Sequence, residues 1–380
     1  MSDNDYLTLD KSADSEPESA GTEPTGEVCF FGGDISFGAP EEYDEKPDKV
    51  KTLRSVFSLT HLSLFVYLMI SQGVATLFTV FSVIVVTAMG GESLGGDFTL
   101  VLNILAQYMI AFPVFLLMTR RIKRREAPRG GRLGAGGFLI TLVIAEGIML
   151  VGALLSNLIT ELIDKLLGGN YGDTLTDVVS GSSLWLVFLS VCILAPVVEE
   201  IMFRKIMIDR LSVFGDGAAI IFSAVAFGFF HGNLSQIIYA TAVGLIFGYV
   251  YTRTGKIWHT MLLHAIVNFL GGILPLGIEW LTGEIERIGA LPEAESGSNA
   301  SRLLLYELTV SAYGILQILF IVGAVVALTV LIIKRKIQIN KEKEIELDNK
   351  TVARVGIANA GFILLYGICL LLIGISLVAM

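Results

Sequence analysis

The sequence predicts an all-α, polytopic transmembrane helical bundle of about 8–9 spans, preceded by a disordered acidic N-terminal leader. Three observations carry this reading. The 380 residues are 53% hydrophobic and 17% charged, and a mean hydropathy of +0.71 is too high for a soluble globular chain of this size. The apolar residues gather into runs near the ~20 residues that cross a bilayer. The net charge of −9 is unevenly placed, because residues 1–50 hold 14 acidic and 3 basic side chains and the remainder is slightly basic.

Taken in order, residues 1–50 are Asp, Glu, Ser, Pro and Gly with few large apolar groups, too few to fold alone. They are expected to form a retained cytoplasmic leader, since the basic start and short apolar core of a signal peptide are missing. A passive solvated tail is the favoured reading, with partner binding as the alternative. Apolar runs follow at 60–89, 98–119, 137–160, 182–203, 217–232, 237–252, 257–278, 303–333 and 355–379. The first is continuous from about Val56 and is open to division into a shallow amphipathic piece plus a span, which leaves the count at eight or nine.

Basic residues orient the bundle. With the leader inside, only Lys165, Arg287 and Arg302 of the 27 Lys and Arg fall on outer loops, which is the positive-inside asymmetry. Seven basic residues lie between Arg120 and Arg132; topology and contact with anionic lipid explain them, and no nucleic-acid binding is expected. The mixed run from Lys334 to Asp348 is expected to be a solvated extension of the eighth helix. Cys29, Cys192 and Cys369 follow no disulfide or zinc spacing, so packing roles are expected.

The chemistry centres on Leu194–Arg204, where Glu199 and Glu200 end a long apolar run. An ionised group at bilayer depth costs at least ~2.5 kcal/mol, which makes an intramembrane acid a candidate functional residue. Arg204 lies four residues after Glu200 and can pair with it along one helix face. Glu199 is then left about 100° around the helix, unpaired. Phe227 with His231, and His264 with Asn268, repeat the same i, i+4 spacing on two later runs. Glu199 and His231 stand sixteen residues on either side of Gly215, so a hairpin turning there brings them to one depth, ~24 Å from the turn.

Each residue also has a plainer reading. Arg204 can snorkel from a helix end, His231 can be a satisfied bundle histidine, and Asn268 can bridge two helices. His61 and His259 are expected to be interfacial or packing residues. Glu146 is left between facing the same cavity and packing in the bundle. Gly244, Gly248, Ala219, Ser223 and Ala226 are small residues assigned to close helix contact.

Glu-Glu-x-x-x-Arg at Glu199, Glu200 and Arg204, Phe-x-x-x-His at Phe227 and His231, and His-x-x-x-Asn at His264 and Asn268 together resemble one family. This is the CPBP family of intramembrane glutamic endopeptidases: CAAX proteases, type II CAAX prenyl endopeptidase-like proteins, and bacteriocin-processing or ABI-family members. The resemblance covers residues 180–275 and divides the chain into N-terminal helices over 51–180, a catalytic core over 181–275 and C-terminal helices over 276–380. It implies that Glu199 takes a proton from a water that His231 also holds, and that His264 and Asn268 donate to the oxyanion. Glu200, Arg204 and Phe227 then support them.

The same resemblance implies a protease with no cofactor and no metal. Its partners are a membrane-associated protein or peptide substrate, prenylated or bacteriocin-like, and the lipid bilayer. The expected location is a bacterial cell membrane, with the site opening toward the cytoplasm. A metalloprotease is the lesser enzymatic alternative, because His-Glu-x-x-His is absent and the candidate ligands are spread over three helices. A non-catalytic immunity or sensor protein that binds a peptide in the same cavity is the alternative outside enzymes. A small-ion transporter ranks last, since no inverted repeat is visible.

Overall fold

The computed structural model describes residues 46–91, 95–125, 130–167, 181–290 and 299–378, and among them helices alternate with short connections and no strand occurs. Backbone polar groups in hydrocarbon must be satisfied within the segment, which leaves helices as the element these apolar runs can form. In chain order they are α1 (Lys46–Ala88), α2 (Gly96–Thr119), α4 (Leu184–Phe214), α6 (Leu234–Thr254), α7 (Ile257–Gly289) and α8 (Ala300–Ile333), with α3 (Ala135–Leu167) between α2 and α4. The short helix α5 (Asp216–Phe230) joins α4 to α6, and the chain closes with α9 (Asn349–Ile357) and α10 (Ala360–Val378).

All nine apolar runs are helical, and the differences lie in their lengths. Among the described residues seven helices are long and apolar enough to cross a membrane, which makes this an integral membrane protein. Helix α5, with 15 residues, is shorter than the ~20 that span a bilayer. The ninth run is bent by 57° between α9 and α10. Asn359 builds that bend: its amide donates to the carbonyls of Val355 and Gly356, and its carbonyl oxygen accepts the N–H of Phe362. One side chain therefore ends α9 and caps α10.

Two boundaries need correction. Helix α1 is a single rod of 43 residues starting at Lys46, so the last five residues assigned to the leader are helical and continuous with the span. Residues 1–45 lie outside the described residues. The run 334–348 is not an extension of α8, which ends at Ile333 ahead of a left-handed Arg335, φ 47°. The chain is then non-helical to Asp348. The N–H groups of Glu344 and Ile345 both donate to the Val213 carbonyl at 3.0 Å, Ile345 packs on the core and Leu347 is buried. Ile345 and Leu347 are two residues apart, a period that gives an extended chain one apolar face; on a helix they would point apart.

What that segment covers is the turn between α4 and α5. Gly215 adopts φ 118° there, a conformation that a Cβ disfavours. The turn is buried among charged neighbours. Arg125 pairs with Asp216 at 3.2 Å, Arg210 donates to the carbonyls of Thr119 and Ile206, and Tyr251 donates to Asp209 at 3.0 Å. From this anchored turn α5 runs back against α6. A Cβ on Gly244 would fall 3.0 Å from the Ala224 backbone, so the small residues do allow close helix approach.

Candidate active site

Helix α4 carries the acids through an irregular stretch. A π-helical turn at Leu189–Leu194 precedes them and another at Ile201–Ile208 follows. Pro196 lies one turn before the acids and lacks an N–H to donate, which matches the widened helix upstream. Such wide turns recur at functional sites because they rotate side chains off the regular helical face.

The two glutamates are used differently. Glu200 is fully buried, and its Oε2 accepts from Arg204 Nε at 3.1 Å. Arg204 is 0% exposed, so it does not snorkel. It reaches across to α5, where Nη1 meets Ser223 Oγ at 3.2 Å, and its guanidinium stacks 4.8 Å from the centre of the Phe227 ring. Ser223 in turn donates to the Phe203 carbonyl at 2.8 Å. The other Glu200 oxygen, Oε1, lies 3.1 Å from His264 Nδ1 on α7.

These contacts orient His264. A carboxylate only accepts hydrogen bonds, so Nδ1 carries a proton toward Glu200, and Nε2 faces the other side of the ring. That nitrogen is 3.8 Å from Glu199 Oε2. The gap is too long for a direct hydrogen bond and is the kind of separation one water bridges. The Glu199 side chain keeps 19% exposure, whereas Glu200 keeps none. With Glu200 matched to Arg204, the charge left over in the cluster is that of Glu199.

Phe227 joins the imidazoles. Its ring stands perpendicular to His231 at 5.0 Å and nearly perpendicular to His264 at 5.6 Å. His231 closes the C-terminal end of α5, with Nδ1 2.8 Å from the Phe227 carbonyl; the carbonyl must accept, so Nε2 is again the free ring nitrogen. Asn268 is placed differently. Its amide donates to the Val191 carbonyl at 2.9 Å, an oxygen in the π-helical turn upstream of the acids. The structure thus gathers Glu199, Glu200, Arg204, Phe227, His231 and His264 around one ring and one ion pair, and uses Asn268 to tie α7 to α4.

One of the small residues does more than pack: Ser223 accepts from Arg204, a partnership that crosses between helices and leaves no spacing signal in the sequence.

Other candidates fall outside the cluster. Glu146 is 2% exposed on α3 and its Oε2 has no hydrogen-bond partner; the adjacent Gly147 packs against Phe320 and Ala324 of α8. His61 is buried with Nδ1 on the Phe57 carbonyl and stacks among Phe57, Phe222 and Phe362, a packing role. His259 is buried and stacked on Trp258. Among the described residues no three of His, Cys, Asp and Glu converge in a metal-ligating arrangement, because Glu200 and His264 Nδ1 face each other rather than a common point.

Comparison with known proteins places this geometry. A family description, type II CAAX prenyl endopeptidase Rce1-like, matches residues 181–270, a stretch that contains every residue of the cluster. The chain is also similar to YdiL of Bacillus subtilis (strain 168), named "Putative membrane peptidase YdiL", with 30% identity over 176 residues, 44% of this chain and 69% of that protein. No solved structure matches the chain.

Proposed function

Because the chain belongs to the type II CAAX prenyl endopeptidase (Rce1-like) family, a family of membrane proteases, we propose that it cuts a peptide bond in a membrane-associated protein or peptide with Glu199 as the base. The observation that carries this reading is the 3.8 Å gap between Glu199 Oε2 and His264 Nε2. A water between them donates one proton to the Glu199 carboxylate and is held on its other side by Nε2 of His264. A carboxylate held within one water of the reacting centre is placed to take the proton as the water attacks.

Atoms and protons balance through the cleavage. The water oxygen bonds the scissile carbonyl carbon, its proton passes to Glu199, and the carbonyl π pair becomes the oxyanion. Collapse re-forms the carbonyl and breaks the C–N bond, and the leaving amine takes the proton from Glu199. His231, across the Phe227 ring, holds the same water or the product carboxyl. Glu200, Arg204 and Ser223 orient His264 and do not touch the substrate.

The substrate carries a lipid or an apolar segment, because the site lies within membrane-spanning helices; a prenylated CAAX-type carboxyl end is the class that the family's description favours. The leader and basic connections face the cytoplasm, the membrane is the bacterial cell membrane, and residues 181–275 form the catalytic core. Comparative membrane proteomics of wild type against Glu199→Gln tests the reading. A chain that accumulates uncut in the variant at equal enzyme level supports it, and an identical proteome overturns it.

A further inference from the structure

Cleavage with Glu199 as the base needs His264 to keep Nε2 turned toward that acid, and the bond from Nδ1 to Glu200 Oε1 at 3.1 Å fixes only one corner of the ring. The χ2 torsion of a histidine is broad and roughly two-fold, so a single hydrogen bond leaves the plane of the ring open. Two phenyl rings close that freedom. Phe227 of α5 stands nearly perpendicular to the imidazole at 5.6 Å, and Phe247 of α6 meets it at 5.8 Å with the planes 45° apart.

The same two rings cover the cation of the cluster. The Arg204 guanidinium carbon lies 4.8 Å from the centre of Phe227 and 6.0 Å from that of Phe247, within the range at which a ring face attracts a cation. Phe227 belongs to the core shared by α1, α4 and α5. Phe247 is fully buried in a separate core, with Val243 and Val250 of its own helix, Ala145 of α3, and Leu263 and Val267 of α7. Leu263 and Val267 immediately precede His264 and Asn268, so one apolar cluster grips both the Phe247 ring and the helix that carries the imidazole. Small residues let α6 come this close: a Cβ on Gly244 would fall 3.3 Å from the Phe227 ring, and one on Gly248 would fall 3.3 Å from Ile220 of α5.

We propose that Phe247 is a positioning residue for the cleavage: its ring fixes the plane of the His264 imidazole, keeps Nε2 directed at the water held by Glu199, and covers the Arg204–Glu200 pair that holds Nδ1. It acts through His264 and leaves the proton balance of the reaction unchanged. In the sequence it is one more apolar residue of a helix, one position before a glycine that serves close packing. An aliphatic chain of similar size in its place keeps the core filled and frees the imidazole to tilt. A misplacement of about 1 Å at a reacting group can cost about 10²-fold in rate.

The inference rests on Glu199 being the base, and the test separates the two. Phe247→Leu and Phe247→Met remove the ring and keep an apolar side chain, Val243→Ala loosens the same core one helical turn away, and Glu199→Gln removes the base. Each is compared with wild type by unfolding in detergent, by kcat and KM on a quenched peptide spanning the bond cut in wild type, and by the ring-nitrogen resonances of His264, one of four histidines in the chain. Both Phe247 variants should lose about 10–100-fold in kcat, with KM within a few-fold of wild type and the His264 resonances shifted. Val243→Ala, although destabilised, should keep its kcat within a few-fold and its His264 resonances in place. A wild-type kcat in either Phe247 variant, with Glu199→Gln inactive, overturns the role of Phe247 alone. An active Glu199→Gln overturns both. A loss confined to KM, a lower kcat with His264 unmoved, an equal loss in Val243→Ala, or failure of both Phe247 variants to fold assigns the ring to packing or substrate binding and also overturns the proposal.

Discussion

Two places in this molecule bury charged side chains: the cluster around Glu199 and the α4–α5 turn from Asp209 to Asp216. Around the turn each charged group meets an opposite charge or a carbonyl. Arg125 closes on Asp216, Arg210 on two backbone oxygens, and Asp209 on Tyr251 and Lys205. In the cluster, Glu200 is satisfied in the same way by Arg204 and His264, whereas the nearest basic nitrogen to Glu199 is 3.8 Å away. A buried charge does not by itself mark a catalytic group. The mark is an acid whose surroundings are built and whose own valence is left open.

This contrast can be broken by removing single partners. The largest stability effect is expected for Arg204→Met, which leaves the Glu200 carboxylate buried without its cation and should lower stability by about 3–5 kcal/mol, read from unfolding in detergent micelles. Survival of the fold with a change under about 1 kcal/mol would mean that Glu200 is not held as an ion. Arg125→Ala takes the guanidinium away from Asp216 and should lower stability by about 1–3 kcal/mol, yet cleavage per folded molecule should stay at the wild-type level. A drop in that specific activity would show that the turn is coupled to the site. Ser223→Ala removes one partner of Arg204 and of the Phe203 carbonyl, and a loss of about 1–2 kcal/mol is expected. Asn359→Ala removes the cap of α10 and should lower the unfolding midpoint by the equivalent of about 1 kcal/mol, with no change in cleavage.

Much of this was legible in the sequence, for reasons that differ by residue. The helices follow from apolar runs with no alternative way to satisfy their backbones, and the Glu200–Arg204 pair follows from a spacing of four on one helix. Both are local. Contacts between helices were harder to read. Asn268 does bridge two helices, one amide N–H tying α7 to the Val191 carbonyl in an upstream π-helical turn; such a turn has no reliable sequence signal, so that particular carbonyl was not legible. Ser223 looked like a small packing residue because its partner lies on another helix. The segment 334–348 was misread because charge content outweighed the two-residue alternation of Ile345 and Leu347.

The most direct measurement compares Glu199→Gln with Glu200→Gln in one preparation, recording unfolding in detergent and cleavage of the same membrane substrate. The account predicts that Glu199→Gln unfolds at the wild-type midpoint while its cleavage falls by about 10²–10⁴-fold, and that Glu200→Gln is clearly destabilised. Cleavage at the wild-type rate by Glu199→Gln, or equal destabilisation of the two variants, would contradict it.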